Sequence, residues 1–182
     1  PRIMLVGLAT GFRRATDPAD MDLRALEYLW DVEPGSAHFL AHVRFFLEEV
    51  MPWAETKWNA PRRREQRATF GMSNSGGWAI DMALRNPEII GNVVAFSPGG
   101  RHGRIVDGNR FSPRVRFYLQ GGALESFFRN ASAWSDTLRA RGETTELHRV
   151  IAGHDWLVWS ETLPDALRWV WGNPDSPRGA KP

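Results

Sequence analysis

Three side chains in this sequence have the types that nucleophilic acyl transfer requires, in the chain order that accompanies a serine elbow on an α/β sheet: a glycine-framed serine, then a carboxylate, then a histidine. The serine lies in Arg67-Ala68-Thr69-Phe70-Gly71-Met72-Ser73-Asn74-Ser75-Gly76-Gly77, which reads as a buried strand, a sharp turn and the start of a helix. A nucleophile elbow of this kind lifts a serine hydroxyl above the end of a sheet. It needs small residues two places before and after the nucleophile, because the tight turn brings neighbouring backbones close. Ser73 has Gly71 before it and Ser75 after it, with Gly76 and Gly77 following one place late. Ser75 competes as nucleophile, with Gly77 two places on but Ser73 two places back. Ser73 is preferred because Gly71 comes directly off the strand.

A serine hydroxyl is a weak nucleophile at neutral pH and needs a base within hydrogen-bond reach, itself oriented by an acid. On a sheet that carries such an elbow the partners follow in the order serine, acid, histidine, each just past the carboxyl end of a strand. Of the five histidines, His38 and His42 fall on an early helix and His148 lies mid-strand. His102 follows a strand but precedes every suitable acid, so it is assigned to the mouth of a cleft. His154 directly follows the strand Arg149 to Gly153 and is the candidate base. The first carboxylate after the strand Arg116-Phe117-Tyr118-Leu119-Gln120 is Glu125, the candidate acid; its plain alternative is a helix-start glutamate favoured by the helix dipole. Asp155 adjoins His154 and would have to fold back onto it, and Asp136 lies inside a helix. The backbone N–H of Asn74, the residue after the nucleophile, is the expected oxyanion donor. Trp156 and Trp159 read first as packing for the last helix and otherwise as walls of a substrate pocket. Ser97 reads as a turn residue. Asn130-Ala131-Ser132 fits a glycosylation sequon but falls on a helix.

The elements that must position these groups alternate. Strands are expected at 2–7, 67–71, 93–96, 114–120 and 145–152, from short apolar runs closed by glycine or proline. Helices are expected at 38–51, stopped by Pro52; at 76–86, ended by Asn86-Pro87; at 126–141, stopped by Gly142; and at 160–171. Loops fill 10–22 and 101–113. Alternation of this kind means an α/β fold, a mostly parallel sheet with helices on both faces.

A chain of 182 residues with 42% hydrophobic and 24% charged content is an ordinary globular composition, long enough for one well-filled domain. Net charge is +2 despite 23 basic residues, nearly all arginine, so no strong basic field exists. Arg62-Arg63-Arg64 with Arg67 reads as a solvated loop rather than a phosphate site, since no aromatic residues interleave with it. No nucleic-acid partner is expected. The absence of cysteine excludes disulfides, thiol catalysis and cysteine-ligated zinc. No apolar run approaches membrane-spanning length, and no membrane partner is expected. Ile3 to Leu8 could be the remnant of a signal peptide but reads better as a strand.

With these residues in place, the chain resembles the Putative esterase family of α/β hydrolases, which includes enterochelin esterases, esterase D-type enzymes and mycolyl transferases. The resemblance covers most of residues 2–171. It runs through Ile3 to Gly7, Arg24 to Leu29, Phe45 to Pro52, the elbow, Phe96-Ser97-Pro98-Gly99, Gly121 to Glu125, and Gly153-His154-Asp155-Trp156 with Trp159. It implies an α/β-hydrolase fold with Ser73 as nucleophile, Glu125 as acid and His154 as base. It also implies a serine esterase acting on a small-molecule ester through an acyl-enzyme, with no metal or organic cofactor. Acyl transfer to an alcohol or sugar, or a non-catalytic fragment, are the alternatives. Two departures stand out. Ser75 replaces the usual glycine, a change its small size should allow. Nothing matches the preceding strand whose His-Gly or Asp-Gly loop supplies a second oxyanion donor in such proteins, so a partial domain over 1–171 with a disordered tail at 172–182 is expected.

Overall fold

The computed structural model describes residues 4–7, 23–33, 35–100 and 113–172. Its centre is a four-stranded parallel sheet in the order β1-β2-β3-β4, formed by Ala68–Met72, Asn92–Phe96, Arg116–Gly122 and Thr144–Val150. β2 is buried along its whole length, as its unbroken apolar run requires of a strand covered on both faces. β1 alternates between buried and half-buried residues, as suits the strand at the sheet's edge. Met72 pairs with Phe96, Phe96 with Gln120 and Gln120 with His148. The carboxyl ends therefore line up, and the segments that leave them emerge side by side.

Among the described residues six α-helices surround the sheet: α1 (Leu23–Tyr28), α2 (Ala37–Arg44), α3 (Met51–Trp58), α4 (Asn74–Arg85), α5 (Phe127–Ala140) and α6 (Trp156–Trp171). Ile80 and Ala83 of α4 and Trp134 and Leu138 of α5 pack on Val93, Ala95, Phe117 and Leu119. On the opposite face Ala166 and Val170 of α6, flanked by Trp159 and Leu163, pack on Val94, Phe96 and Tyr118. The strand order advances in one direction, so right-handed crossovers through α4 and α5 must fall on the same face. An outer layer of Tyr28, Trp30, Phe39 and Val43 covers Trp78 and Met82 of α4. Each fully buried valine, leucine, isoleucine, phenylalanine or methionine among them contributes about 1.5–3 kcal/mol.

The structure departs from the sequence reading in several places. Residues 4–7 join no strand, and Leu5 is exposed. An apolar run favours burial, but it does not choose a strand to pair with. The helix expected to stop at Pro52 continues to Trp58 through a π-helical turn, Phe45–Val50. There Met51 N–H reaches back five residues to the Phe46 carbonyl. This wider turn accommodates a proline that has no N–H and would crowd the carbonyl four residues back. The last helix begins at Trp156, because the Asp155 carboxylate accepts from Leu157 N–H at 2.7 Å and caps it. Arg62 and Arg63 are exposed, as expected of a solvated loop, but Arg64 and Arg67 are tied down. Arg67 bonds Glu55 at 2.6 and 2.7 Å, and Arg64 donates to the Pro87 and Arg114 carbonyls. Of the loops expected at 10–22 and 101–113 and the tail expected at 172–182, residues 10–22, 101–112 (His102 among them) and 173–182 lie outside the described residues.

Candidate active site

Ser73 stands between β1 and α4 with φ 56° and ψ −127°, a conformation that strains any residue but glycine. The surroundings enforce it. Ser73 N–H donates to the Phe96 carbonyl at 2.9 Å, extending the β1–β2 ladder by one bond, while the Ser73 carbonyl accepts from Gly76 at 3.0 Å and Gly99 at 2.8 Å. A Cβ at Gly71 would lie 2.0 Å from the Ser75 carbonyl oxygen, and one at Gly76 would lie 3.1 Å from Pro98 Cα. The glycine two places before the serine is therefore a steric necessity. The place after it admits Ser75, whose hydroxyl turns back on the strand, donating to the Met72 carbonyl at 2.7 Å and accepting from Met72 N–H at 3.0 Å. Ser75 is thus a brace of the turn, which weakens its claim as nucleophile. Asn74 is the first residue of α4, so its N–H belongs to the first helical turn, where no intrahelical acceptor exists.

The segment after β2 is equally constrained. Ser97 has φ 47° and is wholly buried. Its N–H donates to the Gln120 carbonyl at 2.7 Å. Asn130 of α5 donates to the Pro98 and Gly100 carbonyls at 2.6 and 3.0 Å, and Trp134 Nε1 to the Gly99 carbonyl at 3.2 Å. The sequon asparagine therefore uses its amide nitrogen inside the fold.

Past β3 the chain turns at Ala123 and Leu124, whose N–H groups donate to the Val150 and Ala152 carbonyls. This stitching draws the β3 and β4 exits together. The Glu125 side chain is 5% exposed. Its Oε2 lies 2.5 Å from His154 Nδ1, while its Oε1 accepts from Gly122 N–H at 2.7 Å and from the Ser97 hydroxyl at 2.5 Å. With Nδ1–H donated to a carboxylate, Nε2 of a neutral His154 is left as the basic nitrogen. Phe127 and Trp159 flank the imidazole at ring-centroid distances of 4.6 and 4.7 Å, the indole edge-on.

Glu125 and His154 are thus brought together, at the same end of the sheet as Ser73. Among the described residues no hydrogen bond joins Ser73 to His154. Asp155 is engaged as a helix cap. Trp156 is 66% exposed at the start of α6, whereas Trp159 contacts His154. His148 stacks on Tyr118 at 4.5 Å and meets Glu146, and His42 is half-buried against Trp78, where burial lowers its pKa. Among the described residues no group of histidine and acidic side chains is arranged to hold a metal ion. Sequence reasoning missed the polar roles of Ser97 and Trp159. A serine at the exit of a buried strand was the available signal, but nothing local says which carboxylate it meets.

A family model described as Putative esterase matches residues 2–170. No curated protein matches the sequence. Among solved structures, the enterobactin esterase from Shigella flexneri in the presence of enterobactin superposes with a TM-score of 0.64 at 24% identity, over 85% of this chain and 41% of that one. A ferulic acid esterase from Anaeromyces mucronatus in complex with ferulic acid gives 0.60 at 16% identity, over 76% and 61%. An S-formylglutathione hydrolase from Staphylococcus aureus gives 0.56 at 14%, over 74% and 64%. This chain thus spans about two fifths to two thirds of the length of these proteins, and the likeness at such identities is one of fold.

Proposed function

This chain belongs to the Putative esterase family, and on that footing we propose that it is a serine esterase cleaving a small-molecule carboxylic ester through an acyl-enzyme. Ser73 Oγ attacks the ester carbonyl as His154 Nε2 takes its proton. Glu125 holds the imidazole by Nδ1 and stabilises the imidazolium that forms. The Asn74 N–H, in the first turn of α4, donates to the developing oxyanion. Collapse of the tetrahedral intermediate breaks the ester C–O bond and His154 returns the proton to the departing alcohol. A water molecule then attacks the acyl carbon by the same route, and Ser73 leaves with the proton restored.

The observation that carries this reading is the 2.5 Å Glu125–His154 pair at the carboxyl end of the sheet, the end from which the strained Ser73 turn emerges. The second oxyanion donor has no assignment among the described residues. The test is hydrolysis of a short-chain aryl ester, together with labelling by a fluorophosphonate. Ser73→Ala should abolish both, and His154→Ala should abolish hydrolysis. Undiminished turnover in Ser73→Ala would overturn the assignment.

A further inference from the structure

A buried carboxylate must have its lone pairs satisfied, and which donors satisfy it fixes how it sits. Glu125 Oε2 is taken by His154. Oε1 has two donors from different parts of the chain, the Gly122 N–H beside it in sequence and the hydroxyl of Ser97, 28 residues earlier. Ser97 is itself under constraint: Trp159 Nε1–H donates to its oxygen at 3.2 Å. An indole N–H can only donate, and a hydroxyl has one proton. With the indole occupying a lone pair, the Ser97 proton is left for Glu125 Oε1. The protons are thereby ordered along one line, Trp159 to Ser97 to Glu125, with His154 donating from the other side.

We propose that Ser97 is a positioning residue for the Glu125–His154 pair, with Trp159 setting the direction of its hydroxyl. The inference rests on the esterase reading of that pair. Two features set it apart from mere satisfaction of buried groups. Ser97 sits at φ 47°, a region where glycine would be easier, so the side chain is retained against backbone preference. Trp159 also places its ring edge against His154 at 4.7 Å, so one indole contacts the imidazole and, through Ser97, orients the carboxylate that holds it. With Ser97 and Gly122 on Oε1, the carboxylate cannot rotate without losing two hydrogen bonds, and Oε2 stays aimed at Nδ1.

The test compares Ser97→Ala, Ser97→Gly, Trp159→Phe and the Ser97→Ala/Trp159→Phe pair in the full chain. Loss of a hydrogen bond to a charged group should lower kcat by about ten- to a hundredfold with KM within about twofold. Ser97→Gly should be as impaired as Ser97→Ala although its backbone is relaxed. Trp159→Phe keeps a ring beside His154 and should cost severalfold alone and nothing further in the Ser97→Ala background, because both act through one hydroxyl. Independently of turnover, the His154 Nδ1 proton should give a resolved NMR signal in the parent protein and an exchange-broadened one in both Ser97 variants. Full kcat in Ser97→Gly, or an unchanged Nδ1 signal in Ser97→Ala, would overturn the proposal. Absence of parental hydrolysis would instead overturn the esterase reading, and the NMR comparison would still decide the role of Ser97.

Discussion

Replacing Glu125 by glutamine changes one oxygen into an amide nitrogen and leaves the shape intact, yet the structure says which end of the amide goes where. Oε1 faces two donors, the Gly122 N–H at 2.7 Å and the Ser97 hydroxyl at 2.5 Å. The Gly122 N–H cannot turn away. An NH2 group placed there would leave at least one buried donor without an acceptor, at a cost of about 1–3 kcal/mol. That biases the amide roughly ten- to a hundredfold toward carbonyl-on-Gly122. The NH2 then points at His154 Nδ1, which must become an acceptor, and the imidazole proton moves to Nε2. In that tautomer Nε2 cannot take a proton from Ser73. The analogous carboxylate-to-amide change in a serine hydrolase triad lowers kcat by ~10⁴, about 5.5 kcal/mol. We expect Glu125→Gln to lose three to four powers of ten in aryl-ester kcat, with a melting temperature near that of the parent. The imidazole nitrogen shifts in an NMR spectrum should report the Nε2–H tautomer. A variant that retains kcat within tenfold, or keeps the Nδ1–H tautomer while inactive, would refute this reasoning.

Three further outcomes follow from the geometry. Gly71→Ala puts a Cβ 2.0 Å from the Ser75 carbonyl oxygen; backbone must move, and we expect loss of soluble folded protein or destabilisation of about 3 kcal/mol or more, read by circular dichroism. Ser75→Ala removes the brace to both polar groups of Met72 and should cost about 1–2 kcal/mol of stability while fluorophosphonate labelling persists; loss of labelling in a folded variant would return Ser75 to contention as nucleophile. Burial raises the pKa of Asp81 in α4 to about 7, against the pull of Arg85. Because the folded state holds that proton more tightly than the unfolded chain, the native state is favoured below about pH 4 and loses this contribution as pH rises toward 7, by at most about 4 kcal/mol. Asp81→Asn should flatten the fall in melting temperature between pH 5 and pH 8, and an unaltered slope would exclude Asp81 as its source.

The local parts of this protein could be read from the residues themselves. The elbow is a contiguous steric problem: Gly71, Ser73 and Gly76 lie within one turn, and the clash that demands glycine arises within that turn. The β2 run and the helical spacing in α4 and α5 likewise act within a few residues, so element type was legible and α/β alternation followed from it. Local signals misled where a neighbour overrode them. Pro52 is a helix stop in isolation but sits inside a helix behind a π-helical turn. Ile3 to Val6 is apolar enough for a strand, yet its described residues pair with nothing.

Sequence order made Glu125 and His154 candidates, but candidates on separate strands, each with a plain alternative. Their meeting depends on the β3–β4 register and on the Ala123 and Leu124 bonds that stitch the two exits together. Ser97 meets Glu125 across 28 residues and Trp159 across 62, contacts that exist because β2 lies beside β3 and α6 folds back over both. Steric and periodic rules act over a few residues and can be read along the chain. Register, strand adjacency and the burial that makes an unpaired carboxylate intolerable belong to the whole sheet, and only the folded sheet determines which polar groups meet.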